Sequence, residues 1–447
     1  MAICKSTDAF QAINYYLINI QIFTQMKKFI LFIIGGLYFL LVPQLKANPV
    51  NDTVEMGASY ANDVFYSMAN GVVKTETRAN WEIAFYTNRW SAGITINDGN
   101  GVMLYTYPLG DVSAWNSIDI SNIDNWVNLV NSDTVWEDGA FNRNSLGHPD
   151  YGWGVYNTIN HDVVGDSIYI VKLANGNLKK LFIERKSSVN NTFYFKYADI
   201  DGANEVNEVV DVTPFQDTRM FVYYSLMLQM VVDREPDINS WDLMFSRYSG
   251  IVFDNTGAPS NYVVVGITSN NEVGVAKHHP VTVDFSNWTS KPFEYFRTPI
   301  GHDWKEFNMS LFQWTIEDSL VYFIETRQGD IYKFYPEYFS GSGAGKTGFV
   351  KELISLVSVG ELQNLSQALE VFPNPAINSI SLKLNQEVGK TVEVHMFDLT
   401  GKLIYTQTHL QNLSGIHINI DHISNGMYVI ETVSEGVSLK SKFLINR

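Results

Sequence analysis

The sequence predicts a mainly β protein: two tandem β-rich units in the middle of the chain, followed by a small antiparallel β-sandwich. Three observations carry this. The 447 residues are 14% aromatic and only 17% charged, with 31 Gly, 24 Tyr and 27 Phe, a balance suited to strands and tight turns. Short alternating runs between Gly- and Asn-containing turns fill the last 75 or so residues. In the middle, the same motifs occur twice in the same order.

The repeat rests on four matches. Trp81-Glu82-Ile83-Ala84-Phe85 returns as Trp241-Asp242-Leu243-Met244-Phe245. Ile168-Tyr169-Ile170-Val171, with Gly176 and Lys180, returns as Val321-Tyr322-Phe323-Ile324 with Gly329 and Lys333. Upstream, Tyr66-Ser67 and Val72-Val73 pair with Tyr224-Ser225 and Val231-Val232. Units at 51–200 and 204–355 follow, joined through the acidic stretch 199–211. Within each, the tryptophan motif reads as a strand that buries Trp81, Ile83 and Phe85 and turns Glu82 outward. Gly176 and Gly329 mark hairpins, where a tight turn needs positive φ.

The chain ends are read differently. Met26-Lys27-Lys28, the apolar run 29–42 and Leu45-Lys46-Ala47 have the layout of a secretory signal at 26–47, cut after Ala47. Residues 1–25 are read as lying upstream of the true start codon. The apolar run is 14 residues, short of the roughly 20 needed to span a bilayer, so no transmembrane span is expected in the mature chain. Cys4, the one cysteine, precedes the cut; disulfides, thiol catalysis and zinc-thiolate sites are thereby excluded from the mature protein.

Charge narrows the partners. Of 31 basic and 47 acidic residues, the first 47 positions hold four and one, and positions 370–447 hold six and seven; the middle keeps 21 against 39, a net of −18. Such a surface repels a phosphate backbone, and nucleic acid is not expected to bind.

After a linker at 356–370, residues 371–447 carry Phe372-Pro373-Asn374-Pro375, Met396-Phe397-Asp398-Leu399-Thr400-Gly401-Lys402, Asn425-Gly426-Met427-Tyr428-Val429 and Lys442-Phe443-Leu444. The segment reads as an immunoglobulin-like sandwich of six or seven strands. With Pro373, Asn374, Pro375, Gly401, Gly426 and Lys442 in this order it resembles the type A sorting domain of the type IX secretion system of Bacteroidetes. That resemblance implies an address read by the outer-membrane export machinery, and hence a secreted or cell-surface protein. The two central units, through the tryptophan motif followed by Tyr-x-x-x-x-x-x-Gly-x-x-x-Lys, resemble the HmuY-type haem-binding family, which implies haem held by axial side chains on a β-rich surface.

Haem iron takes His or Met ligands. His148 follows Leu146-Gly147 and stands 20 residues before Ile168; His302 follows Ile300-Gly301 and stands 19 before Val321. They are the candidate haem ligands, against the alternative of ordinary Gly-His turns. His278-His279-Pro280 reads as a surface loop, His161-Asp162 as a turn, 342–347 as a glycine-rich hairpin in place of a phosphate loop, and 199–205 as a solvated stretch whose oxygens do not match a calcium loop. No nucleophile elbow or zinc-protease motif occurs. The expectation is a non-enzymatic exported protein that binds haem or another small ligand. Two rivals stand beside it: a carbohydrate-active enzyme using paired carboxylates, with Trp90, Trp115, Trp126, Trp136 and Trp153 available to stack on sugars, and a structural or adhesion protein without a ligand.

Overall fold

The protein is described by a computed structural model covering residues 48–446 apart from 255, 356–368, 385–390, 399–401, 411–415 and 435–436. The signal-peptide reading, residues 1–25, most of the linker and Gly401 lie outside the described residues. The chain divides into two compact bodies, one holding residues up to Ile324 with Tyr332–Ile354, the other Glu325–Ile331 with Ser355–Arg447. As expected it is mainly β: 29 strands and short 3-10 turns among the described residues.

Three strands lead: β1 (Val50–Glu55), β2 (Asn62–Ser67) and β3 (Gly71–Thr77). A first set follows in β4 (Ile83–Tyr86), β5 (Ile94–Ile96), β6 (Met103–Thr106), β7 (Gly154–Tyr156), β8 (Val163–Gly165), β9 (Ile168–Lys172), β10 (Leu178–Ser187) and β11 (Thr192–Asp199). Next come β12 (Val206–Asp211), β13 (Phe221–Ser225) and β14 (Met230–Val232). The second set is β15 (Leu243–Phe253), β16 (Pro259–Ser269), β17 (Gly274–His278), β18 (Lys305–Asn308), β19 (Gln313–Ile316), β20 (Val321–Glu325), β21 (Ile331–Phe339) and β22 (Lys346–Ser355).

Pairing does not follow the expected cut at 51–200 and 204–355. β12 adds to β11 and β13 pairs with β4, so 206–232 completes the first set. β1 pairs with β22 and β2 with β15, so the leading strands complete the second set, some 180 to 300 residues downstream. The first core therefore runs from Ile83 to Leu226, while the second joins Val54, Met56, Val64, Tyr66 and Met68 to residues 243–349. The physical reason is edge pairing: β11 and β22 each present an open edge, and β12 and β1 supply the same antiparallel partner. Stretch 199–211, expected to be a solvated linker, is instead the β11–β12 hairpin.

The two tryptophan motifs begin corresponding strands and make the same bonds. Glu82 N donates to Tyr224 O at 3.1 Å, and Asp242 N to Tyr66 O at 2.8 Å. Glu82 does not face outward. It is buried, and its carboxylate accepts from Leu226 N (2.6 Å) and Ser225 Oγ (3.0 Å); Asp242 accepts from Met68 N at 2.7 Å. In a sheet with both faces covered, alternation does not carry a side chain to water, and a carboxylate there needs N–H donors. Asn97 and Asn270 repeat a second device: Asn97 Nδ2 donates to Arg78 O and Trp81 O, and Asn270 Nδ2 to Ile238 O and Trp241 O. Gly176 and Gly329 sit at φ 87° and 89° in the β9–β10 and β20–β21 turns, where a side chain would be strained.

Between the two cores lies a third, with Trp81 edge-on to Tyr223 (4.9 Å) and Trp241 edge-on to Phe65 (5.1 Å) among Ala84, Met220, Phe221 and Met244. Buried charge crosses it. Asp63 on β2 pairs with Arg78 and, at 2.7 Å, with Arg234 beyond β14, whose guanidinium lies over Tyr223 and Trp81.

Among its described residues the C-terminal body has seven strands in two sheets. β23 (Leu369–Phe372), β24 (Ser379–Leu384) and β27 (Ile416–Asn419) form one; β26 (Leu403–Leu410), β25 (Thr391–Asp398), β28 (Gly426–Ser434) and β29 (Val437–Ile445) the other. Their alternate residues meet in a single core that includes Ile380, Leu382, Val394, Met396, Ile430 and Phe443. The opening motif clasps the last strand: Asn374 Oδ1 accepts from Leu444 N (2.8 Å), and Ala376 N donates to Leu444 O (2.7 Å). Lys442 lies on β29 opposite Val429.

Trp81→Ala and Trp241→Ala should each lower unfolding stability by about 3–5 kcal/mol through the cavity left in the shared core. Urea unfolding of residues 48–447 measures this; a loss below about 1 kcal/mol at both positions would contradict a packed role.

Candidate functional site

Most strongly shifted ionisable groups serve the fold. Lys305 is buried with its ammonium over Trp304 at 4.2 Å, donating to Val265 O (2.6 Å); desolvation pulls its pKa from 10.5 to about 7. Lys186 is held by the carbonyls of Asn88, Arg89 and Ser91, and burial likewise lowers it to about 7. Glu235 accepts from Met220 N (2.7 Å) and Phe221 N (3.0 Å), and burial raises it to about 7. Each of these groups is tied to backbone, which fixes strands and leaves the head group no open face toward a substrate.

The histidines separate by environment. His302 is half-buried, its Cε1 3.7 Å from where a Cβ on Gly250 would sit, and desolvation, with Lys305 nearby, lowers its pKa. His148 is exposed on the loop before β7. The two do not hold matching places: His148 is five residues before Trp153 and His302 two before Trp304, although both tryptophans are buried and offer their carbonyls to the following turn, to Asp166 N and Glu317 N. His278, expected in a surface loop, ends β17 and is buried against Phe285 (4.8 Å) and Phe323 (5.3 Å), because β17 is the edge strand beside β20, which carries Phe323; its neighbour His279 is the exposed one, 3.4 Å from Glu317.

His148 and His161 meet through one residue. Tyr156, at the end of β7, has the His148 ring at 5.2 Å and the His161 ring at 5.9 Å, and its hydroxyl lies 2.5 Å from His161 Nδ1. Two short loops make this possible. Asp150 pins the first by accepting from Leu146 N (2.9 Å) and Gly152 N (2.7 Å); the second closes as Asn157 N donates to Asp162 O and His161 N to Asn157 O, both at 2.8 Å. The loops also expose Leu146 (92%) and Ile159 (89%), while Val155 and Val164, opposite each other on β7 and β8, face water. The result is a rim with two imidazoles, a phenol and apolar side chains. Sequence alone gives His161 only the place of a turn residue, since no local spacing announces a contact made through Tyr156.

Other motifs resolve simply. Among the described residues no group of three or more His, Cys, Asp or Glu could hold a bare metal ion. Asp199 is engaged by Lys179 Nζ and Asn204 Nδ2, both at 2.6 Å. Residues 342–347 span the β21–β22 connection, with a 3-10 turn at Gly341–Gly343. Of the five tryptophans considered for sugar stacking, Trp90 is 66% exposed; Trp153 is fully buried, and Trp115 is buried with the ammonium groups of Lys180 and Lys196 within 4.7 Å of its ring centroid.

Comparison with known proteins places the C-terminal body. Residues 370–446 match the family described as the secretion system C-terminal sorting domain. The protein is thus of the class sorted by type IX secretion to the cell surface or the extracellular space, and no helix among the described residues is long and apolar enough to cross a membrane. No curated protein matches the chain. A solved structure, a putative HmuY-like heme-binding protein from Bacteroides vulgatus, is similar at 15% identity over 37% of this chain and 92% of its own, with a TM-score of 0.14, an overlap too slight to support an argument.

Lys305 yields a pH test. Its folded pKa, about 7, lies below the ordinary 10.5, so the unfolded chain binds the extra proton between those values. Stability from this group is present above pH 10.5 and lost as pH falls through 7. Lys305→Met removes the dependence: its stability relative to the parent should be most favourable at pH 7 and shrink toward pH 10. Urea midpoints at the two pH values measure this, and a pH-independent difference would contradict a desolvated ammonium.

Proposed function

We propose that this chain is a non-enzymatic binding protein of the cell surface or medium, built from two copies of one β unit, which takes up haem or a similar planar apolar ligand at the Tyr156 rim. The matching bonds of Glu82 with Asp242 and of Asn97 with Asn270 support the duplication. The reading rests on the rim itself, where His148 and His161 flank Tyr156 beside exposed Leu146 and Ile159.

The donor set fits the group. A porphyrin supplies four nitrogens to its iron, so the protein needs to add only one or two axial ligands, and imidazole and phenolate both serve. One or two protein ligands therefore suffice. Apolar Leu146, Ile159, Val155 and Val164 would cover porphyrin surface that water solvates poorly. His302, half-buried on the second set, is the lesser candidate. Supporting a non-enzymatic reading, Lys186, Lys305 and Glu235 are bound to backbone groups as structural elements.

Titrating the mature chain, residues 48–447, with haemin should give a saturable Soret band. Histidine-to-alanine changes at 148 and 161 should each weaken it about tenfold or more, Tyr156→Phe should shift its maximum, and His302→Ala should leave it unchanged. No saturable change in the parent would reject haem as the ligand; loss with His302→Ala alone would reject the rim.

A further inference from the structure

A second surface stands apart from that rim. Among the described residues β18 and β19 form a two-stranded sheet paired with no other strand, with Lys305 opposite Ile316, Phe307 opposite Trp314 and Asn308 opposite Gln313. Its base is anchored, since Trp314 and Ile316 pack on the second core and Lys305 is buried. Its tip is not covered: Met309 is 70% exposed, Leu311 61% and Phe312 79%, with Phe307 partly exposed behind them. Isolated apolar residues on a surface are ordinary, but four at one hairpin end are a patch.

The tip is also built to stay rigid. Aromatic rings run without a break from the core outward: Trp304 to Phe339 (5.9 Å), Phe339 to Trp314 (5.1 Å), Trp314 to Phe307 (5.4 Å) and Phe307 to Phe312 (6.5 Å). Trp304 is buried and Phe312 the most exposed of the series. In the turn, Asn308 Oδ1 accepts from both Ser310 N and Leu311 N at 3.0 Å, so these two amides do not depend on water. No charged residue occurs from Phe307 to Ile316.

We propose that this hairpin inserts its tip into a zwitterionic lipid surface and holds the exported protein there. Three features select lipid as the occupant. A convex finger needs a matching groove in a protein partner, whereas lipid closes around any apolar shape. Backbone amides satisfied by Asn308 suit a medium that offers no hydrogen bonds. Apolar side chains at the end, with Phe307 and Trp314 behind, follow the order of an interfacial anchor, aromatics at headgroup depth. Charge selects the lipid: with 21 basic against 39 acidic residues over 48–369, the body is repelled by anionic headgroups, so attraction must come from apolar contact.

The test is cosedimentation of the mature chain with phosphatidylcholine vesicles, at low and high salt, beside vesicles containing phosphatidylserine. Binding should be saturable, insensitive to salt and no stronger to phosphatidylserine. The double variant Leu311→Ser/Phe312→Ser, altered only at exposed positions, should keep the parent's urea midpoint and lose about tenfold or more in partitioning. The proposal is overturned by no binding of the parent, by equal binding of the variant, by binding that requires anionic lipid, or by concentration-dependent self-association that the double variant abolishes while vesicles remain unbound.

Discussion

The antiparallel contact of β1 with β22 closes the larger body, and the rest of that body depends on it. Val50–Glu55 pairs with Lys346–Lys351, bringing the first strand of the described chain against the last strand of its sheet. Val54 and Met56 then enter the second core, and β2 follows to pair with β15. Without this closure β22 would keep an open edge and the second core would lose the buried side chains of Val54 and Met56. Bringing such distant segments together carries an entropic cost that grows only slowly with separation, so long-range pairing is affordable once the faces match.

What aligns the faces is a set of local bonds made twice. Glu82 and Asp242 each receive the backbone amide that follows the adjoining strand, and each adjacent tryptophan then enters the core between the two sets. Asp63 adds a buried tie from β2 to Arg78 and Arg234. Desolvation makes such ion pairs poor sources of net stability, but an unpaired Asp63 in the same place would be costly. Their effect is to fix which segment meets which. The rim at Tyr156 and the hairpin of β18 and β19 are then both carried at short-strand or loop positions of rigid sheets, where function can vary without disturbing the core.

Much of this was legible in the sequence. The C-terminal sandwich of six or seven strands was legible, and the structure has seven strands among its described residues, because alternation and turn residues act locally. The paired tryptophans, buried as expected, were visible because a large ring at a repeated position leaves a repeated motif. Partition of the central units was not legible: Tyr66-Ser67 and Tyr224-Ser225 match each other, but nothing in either stretch says that β2 pairs with β15 and β13 with β4. Glu82 was misjudged for a related reason, since alternation assumes one wet face and both faces of β4 are covered. The environments of His278 and His161 depend on Phe323 and Tyr156, contacts that only the fold creates.

Pairing of the leading strands with the second set can be measured directly, because residues 48–447 contain no cysteine. Glu55 and Lys346 are cross-strand partners whose side chains meet at 3.3 Å. In a Glu55→Cys/Lys346→Cys variant, mild oxidation should form one disulfide, read as a linked peptide pair by mass spectrometry. Thr192 on β11 holds the place in the first set that Lys346 holds in the second, so a Glu55→Cys/Thr192→Cys variant should stay reduced. Cross-linking to position 192 in place of 346 would mean that the leading strands complete the first set, and would contradict the closure on which this account is built.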